Sequence, residues 1–342
     1  MIRRIHYLLF TSLILLLLVF FVLDMLLGSV SIPPDKLIRI LSGNSENTNW
    51  SYILLQMRLP RALNAIITGS GLAVAGLLMQ TLFRNPLAGP YVLGISSGAS
   101  LGVAVYVMSS GIFGFLIGTG IYNYGLVVSA VLGAVSVFLL IVLVASRIRD
   151  SVSLLIVGIM FGSLSTAIVS ILQYFSRPDL VHKFVIWTLG SLSATGWNQL
   201  SIISGIILAG LMISLFLIKP LNALLLGEIH AEATGVNIKR IRYLILLAVG
   251  IIAGALTAFN GPIAFIGLIA PHISRMLFNT NNHRILFPAC LLTGTILLLA
   301  CDMISQVPGS FIMLPINAIT ALVGAPVVVW IIVGKRKLKN SF

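Results

Sequence analysis

Charge is what this sequence has least of. Only eight of its 342 residues are Asp or Glu, and charged side chains of both signs make up 8%. Such a chain has too little polar surface to cover a globule in water, so an ordinary soluble domain is excluded. Cysteine is nearly absent too. Cys290 and Cys301 are the two present; on one helix they stand about 16 Å apart along the axis, too far to pair with each other, so they carry no information about redox compartment. No G-x-x-x-x-G-K-[ST] run occurs, which excludes ATP binding by a P-loop. No H-E-x-x-H and no Cys/His cluster occurs, so neither a metal nor another cofactor is expected. The five histidines are dispersed, no Ser/His/Asp set is implied by spacing, and no catalytic residue is assigned. Regular segments of alternating hydrophobicity are missing, which disfavours a barrel. No carboxylate or histidine clearly sits at mid-membrane depth, which argues against an ion-coupled secondary transporter. An intramembrane hydrolase is a weak alternative.

What the chain does have is apolar length. Hydrophobic residues make up 58%, and the mean hydropathy is +1.11. Runs of about 17–25 apolar residues, the length that spans a bilayer, fall near 8–30, 62–83, 91–109, 124–146, 152–175, 199–218, 241–259, 263–277, 285–304 and 314–334. The expectation is an all-α polytopic membrane protein with about ten transmembrane helices in one transmembrane domain, residues 1–342. The first run is too long for a signal peptide and lacks its small-residue cleavage pattern. Two stretches could alter the count: residues 111–122, apolar but glycine-rich, and residues 184–193, which read as a short half-buried helix.

The net charge of +13 is scattered at the ends of apolar runs, which points to topology rather than to nucleic acid. With the N-terminus cytoplasmic, fifteen Lys and Arg fall on that side and six on the other, and the positive-inside rule then places both termini in the cytoplasm. The same orientation puts residues 219–242, the long polar interruption of the second half, inside the cell. Gly227 there can take a left-handed turn, Glu228 to Thr234 reads as a short helix, and Gly235 can close it. Glu228 and Glu232, four apart, share a face.

The basic minority outside includes Arg58-Leu-Pro-Arg61, where Pro60 suits a helix's first turn. Snorkelling to lipid phosphate and carboxylate recognition on an external protein are both open on the residues alone. Asp24 and Asp302 lie near the outer ends of their spans, where a carboxylate can reach water. Gly158, Gly162, Ser165 and Thr166 share one face of the fifth span. That face suits close helix packing or the small-residue lining of a wide path, and the sequence alone leaves both readings standing.

Six segments in order carry a resemblance: Arg58-Leu-Pro-Arg61, Gly76-Leu-Leu-Met-Gln80, Asn85-Pro-Leu-Ala88, Leu93-Gly-Ile-Ser-Ser-Gly98, Gly227-Glu228 with Gly235, and 261–272, which reads GPIAFIGLIAPH. From about residue 50 onward the chain resembles the permease family of iron-siderophore, haem and cobalamin ABC importers (FecCD-type, type II). The resemblance implies a ten-helix permease that catalyses no reaction and works as one of two copies, identical or related. Two ATP-binding subunits hydrolyse ATP on the cytoplasmic side, and a solute-binding protein docks from outside. It assigns ATPase coupling to Leu226, Gly227, Glu228, Ala231, Glu232 and Gly235, and docking to Arg58 and Arg61. It assigns the gate to Asn85, Leu87, Ser151 and Val152, with the fifth span lining the path through Gly158, Gly162, Ser165 and Thr166. Gln306 stands where some members carry another outer basic residue. The implied solute is an iron-siderophore complex, with haem and cobalamin as alternatives.

Overall fold

The structure, a computed structural model, describes residues 2–28, 30, 32–42, 48–109, 121–148, 151–307 and 312–333. The expectations for residues 111–120, Arg149 and the basic cluster at 335–339 lie outside them. Among the described residues the chain forms α1 (Ile2–Leu26), two short helices α2 (Pro34–Leu41) and α3 (Thr48–Tyr52), and a π-helical segment (Ile53–Arg58) that runs straight into α4 (Leu59–Leu82). A 3-10 turn (Pro90–Leu93) leads to α5 (Ile95–Met108), α6 (Ile121–Ala145), α7 (Ser151–Tyr174), α8 (Pro178–Thr188) and α9 (Trp197–Phe216). The short α10 (Ile218–Leu225) and α11 (Glu228–Ala233) precede α12 (Ile238–Asn260), α13 (Ile266–Phe278), α14 (His283–Ser305) and α15 (Ile316–Val333).

Seven of these helices are long and apolar enough to cross a bilayer, and α5, α13 and α15 are shorter apolar helices. Together they are the ten expected spans. The half-buried helix expected at 184–193 is displaced: α8 starts at Pro178, which fits a first helical turn, and stops before Gly190, whose φ is +71°. The spans containing α4, α12 and α14 are mostly buried, whereas α1, α6, α7 and α9 leave most of their apolar surface open. Such surface is stable only against lipid or another subunit.

The described chain divides into two compact units. One comprises Met1–Val74, Ser191–Gly205 and Ala264–Phe342, and the other Ala75–Gly190 and Ile206–Ile263. In the first, Leu13, Phe278, Ala289 and Ile296 form a core across α1, α13 and α14, with the Phe10 and Phe278 rings 4.6 Å apart. Helices α4 and α14 cross where Gly69 meets Gly294; a methyl added at Gly69 would lie 2.4 Å from the Gly294 carbonyl oxygen. Asn64, buried in α4, donates to the Leu192 carbonyl and the Thr195 hydroxyl at 3.1 and 3.0 Å.

In the second unit the small residues of α5 serve close approach of helices. A β-carbon at Gly102 would lie 2.0 Å from the Ser129 carbonyl oxygen, and one at Gly133 would lie 2.1 Å from that of Gly98. Backbone meets backbone there, so no rotamer change relieves an added methyl. Overpacking costs about 1–3 kcal/mol, and the upper end is expected for Gly102→Val, read as a lower Tm in detergent. Gly205→Ala is the control, because its β-carbon meets nothing within 4 Å.

Candidate coupling segment, gate and translocation groove

The polar stretch at 219–242 folds as two short helices around Gly227. This glycine adopts φ +115° and ψ 151°, an extended mirror-image conformation open essentially to glycine alone, rather than the left-handed turn expected. After α11 the Gly235 amide donates to the Glu232 carbonyl and the Val236 amide to the Ala231 carbonyl, at 2.9 and 3.0 Å. With Gly235 at φ +85°, this is the Schellman closure that the glycine's position implies. Ala231 is fully buried beneath α11. On the open side Leu226 and Ile229 are 71% and 88% exposed, with Glu232 also exposed and Glu228 partly so. An apolar pair this open on a segment outside the spans is an obvious contact for another protein.

Two arginines brace this segment. Arg84 donates from Nη2 to the Leu224 carbonyl at 3.1 Å. Arg242 donates from Nη1 to the Ile148 carbonyl at 3.2 Å, and its Nη2 lies 3.6 Å from Glu228. The expected gate residues Asn85 and Leu87 sit in the tight turn after α4, where the Leu87 amide donates to Asn85 Oδ1 at 2.9 Å. Ser151 and Val152 are the first residues of α7, and Val152 is 60% exposed.

The face expected on α7 is split in two. Gly158 and Ser165 are buried. An alanine methyl at Gly94 of the preceding turn would come within 2.9 Å of the Gly158 carbonyl oxygen, so Gly158 packs, and Ser165 is turned inward rather than into a path. Gly158, Gly162 and Thr166 line an open groove of about 640 Å³ with Tyr91, Ser97, Ser163 and Ser170 among its walls, and Ser165 does not. Among the described residues no charged side chain lines it.

Arg58 and Arg61 do not present their guanidinium groups outward as expected. They are 6% and 7% exposed. Arg58 donates to the carbonyls of Met25 and Leu26, at 2.7 and 3.1 Å, and to that of Val30. It thereby caps the C-terminal end of α1, where the helix dipole favours a cation. Arg61 forks onto Asp302 through Nε at 2.8 Å and Nη2 at 2.7 Å, and adds a 3.0 Å bond to Ser305. Gln306 donates to both Asp24 and Asp302, at 2.9 and 3.1 Å. Asp302 has no exposed surface and Asp24 only 1%, so neither reaches water as the sequence suggested. A chain with eight carboxylates and two arginines entering one apolar helix carries a readable signal for this pairing, since intramembrane charges pair with one another.

The FecCD transport family matches residues 16–334. The chain belongs to it. The hemin transport permease HmuU of Yersinia pestis is 35% identical over 304 residues, 89% of this chain and 90% of the relative. The vitamin B12 import permease BtuC of Klebsiella pneumoniae is 35% identical over 326 residues, 95% and 93% of the two chains. A metal-chelate type ABC transporter solved in an inward-facing conformation superposes with a TM-score of 0.83 at 31% identity, over 96% of this chain and 99% of that one. PsaBC of Streptococcus pneumoniae shares the fold, with a TM-score of 0.54 at 16% identity. This FecCD permease is therefore a multi-span membrane subunit of a bacterial ABC importer. The segment at 226–235, the residues expected to gate and the α7 groove all lie in the second compact unit, and the buried arginine–aspartate network lies in the first.

Proposed function

We propose that this FecCD permease carries a ferric siderophore inward across the cytoplasmic membrane by alternating access. The groove along α7 carries the reading: about 640 Å³ of open space, walled by Gly162, Ser163, Thr166 and Ser170 with no charge among the described residues. Small neutral walls leave room for a bulky chelate and hold it weakly, so affinity resides in an external binding protein. A second copy of the permease completes the path. Two ATP-binding subunits seat on residues 226–235, where Leu226 and Ile229 stand open. Their closure on ATP moves that segment, and Asn85, Leu87, Ser151 and Val152 open or shut the inner end. The N-terminus is cytoplasmic in this arrangement. Arg58 and Arg61, buried on partners within the chain, anchor α1 and α14 and are not docking contacts.

The haem and vitamin B12 relatives stand at the same 35% identity, so uptake itself has to choose the solute. In a strain lacking its own importers and supplied with this permease and its cognate ATPase and binding protein, radiolabelled ferric siderophore is expected to accumulate. Haem and cobalamin are expected not to. Accumulation of either in place of the siderophore overturns the solute while leaving the importer reading intact. Thr166→Trp, which fills the groove, is expected to cut uptake at least tenfold with the ATPase still co-purifying; full uptake would remove the groove from the path.

A further inference from the structure

The two arginines that brace the coupling segment each end beside a gate element. Arg242 is 6% exposed, the fifth residue of α12. Its guanidinium is shared between Glu228, the first residue of α11, and the Ile148 carbonyl, three residues ahead of Ser151. One buried side chain thus contacts both the short helix with the open apolar surface and the backbone at Ile148, after α6. Arg84, an exposed residue, makes a simpler link through one side-chain bond. Its backbone stands at φ +45°, a left-handed conformation uncommon outside glycine. Its Nη2 donates to the Leu224 carbonyl in the last turn of α10, while the next residues, Asn85 to Leu87, form the other gate turn.

We propose that Arg242 is a positioning residue that passes movement of α11 to the head of α7, and that Arg84 makes the parallel link from α10 to the Asn85–Leu87 turn. The inference rests on the proposed function, which gives these elements their coupling and gating roles. Guanidinium suits the task because its planar fork bonds two elements at once, whereas an ammonium is a single point donor. Stripping one partner from a buried charge is unfavourable, so when α11 shifts, Arg242 and the backbone at Ile148 follow rather than separate.

The test uses the full transporter, with its ATPase and binding protein, in lipid nanodiscs. Single cysteines at Thr234 and, separately, Val152 report on α11 and on the gate through their rate of reaction with a water-soluble maleimide. Both native cysteines are buried and therefore silent. With native Arg242, a non-hydrolysable ATP analogue is expected to change both rates. In Arg242→Ala and in Arg242→Lys, which keeps the buried charge, the Thr234 response is expected to persist while the Val152 response disappears. Solute moved per ATP hydrolysed is expected to fall at least tenfold. A preserved Val152 response with normal stoichiometry in both variants overturns the link. Loss of ATPase binding in both also overturns it, because Arg242 would then merely build the docking surface. If neither site responds with native Arg242, the importer mechanism itself fails, independently of the arginine.

Discussion

Asp302→Ala is expected to destabilise this permease by about 3–5 kcal/mol, the cost of stripping the partner from a buried ion pair. Arg61 would keep the Ser305 hydroxyl but lose its counter-charge, since Asp302 supplies both close carboxylate contacts at 2.7 and 2.8 Å. Gln306 would lose one of its two acceptors and keep Asp24. Arg61→Ala is the mirror case, stranding Asp302 and its negative charge. The double replacement Arg61→Met with Asp302→Leu removes both charges together, and buried pairs exchanged for packed apolar residues are often neutral or stabilising. The expected pattern in detergent is a large drop in Tm for each single variant and near-recovery for the double. Transport by the double variant then separates two roles for Arg61. An anchor predicts that uptake returns with stability, whereas a contact with an external carboxylate predicts stable protein that no longer takes up solute.

The second large effect is expected at Gly227. Valine there must adopt φ near +115° and ψ near 151°, a strain of about 1–3 kcal/mol for a residue with a β-carbon, or the chain must turn differently. Space is not the obstacle, because the nearest foreign atom to a β-carbon is Arg84 Nη2 at 3.7 Å. The strain falls on a helix of six residues whose first turn is closed by the Ala231 amide donating to the Gly227 carbonyl at 2.9 Å. So short a helix has little of its own to resist with. ATPase co-purification is expected to fall at least tenfold and uptake with it, while Tm changes little because the spans are untouched. Gly235→Asn is the comparison: asparagine tolerates the left-handed conformation, so binding is expected to hold. ATPase recruitment unaffected by Gly227→Val would show that the Gly227 turn does not form the seat.

The ten spans were legible because bilayer crossing is a one-dimensional property: length and apolarity of a run decide it, and α6 or α14 needs no neighbour to be recognised. The short helix α11 was legible for a related reason, since it is closed by local bonds from the Gly235 and Val236 amides to residues three and five positions back. The family, too, rests on local segments such as Asn85 to Ala88. The α7 face was half legible. Periodicity places Gly158, Gly162, Ser165 and Thr166 together, but it cannot say that Ser165 packs inward while Thr166 opens onto a groove.

Where Arg61 points was not legible from local spacing. Its partner Asp302 is 241 residues away in the chain, and each residue read singly looks like a charge reaching for water at a helix end. Sequence by itself determined the membrane class, the spans, the polar segment between them and the family, because each follows from composition or short-range spacing. Only the tertiary structure decided which charges are shared: Arg61 with Asp302, and Arg242 between Glu228 and Ile148. The physical reason is that a buried charge is stable only beside its complement, and that complement is chosen by how helices pack rather than by any neighbour in sequence.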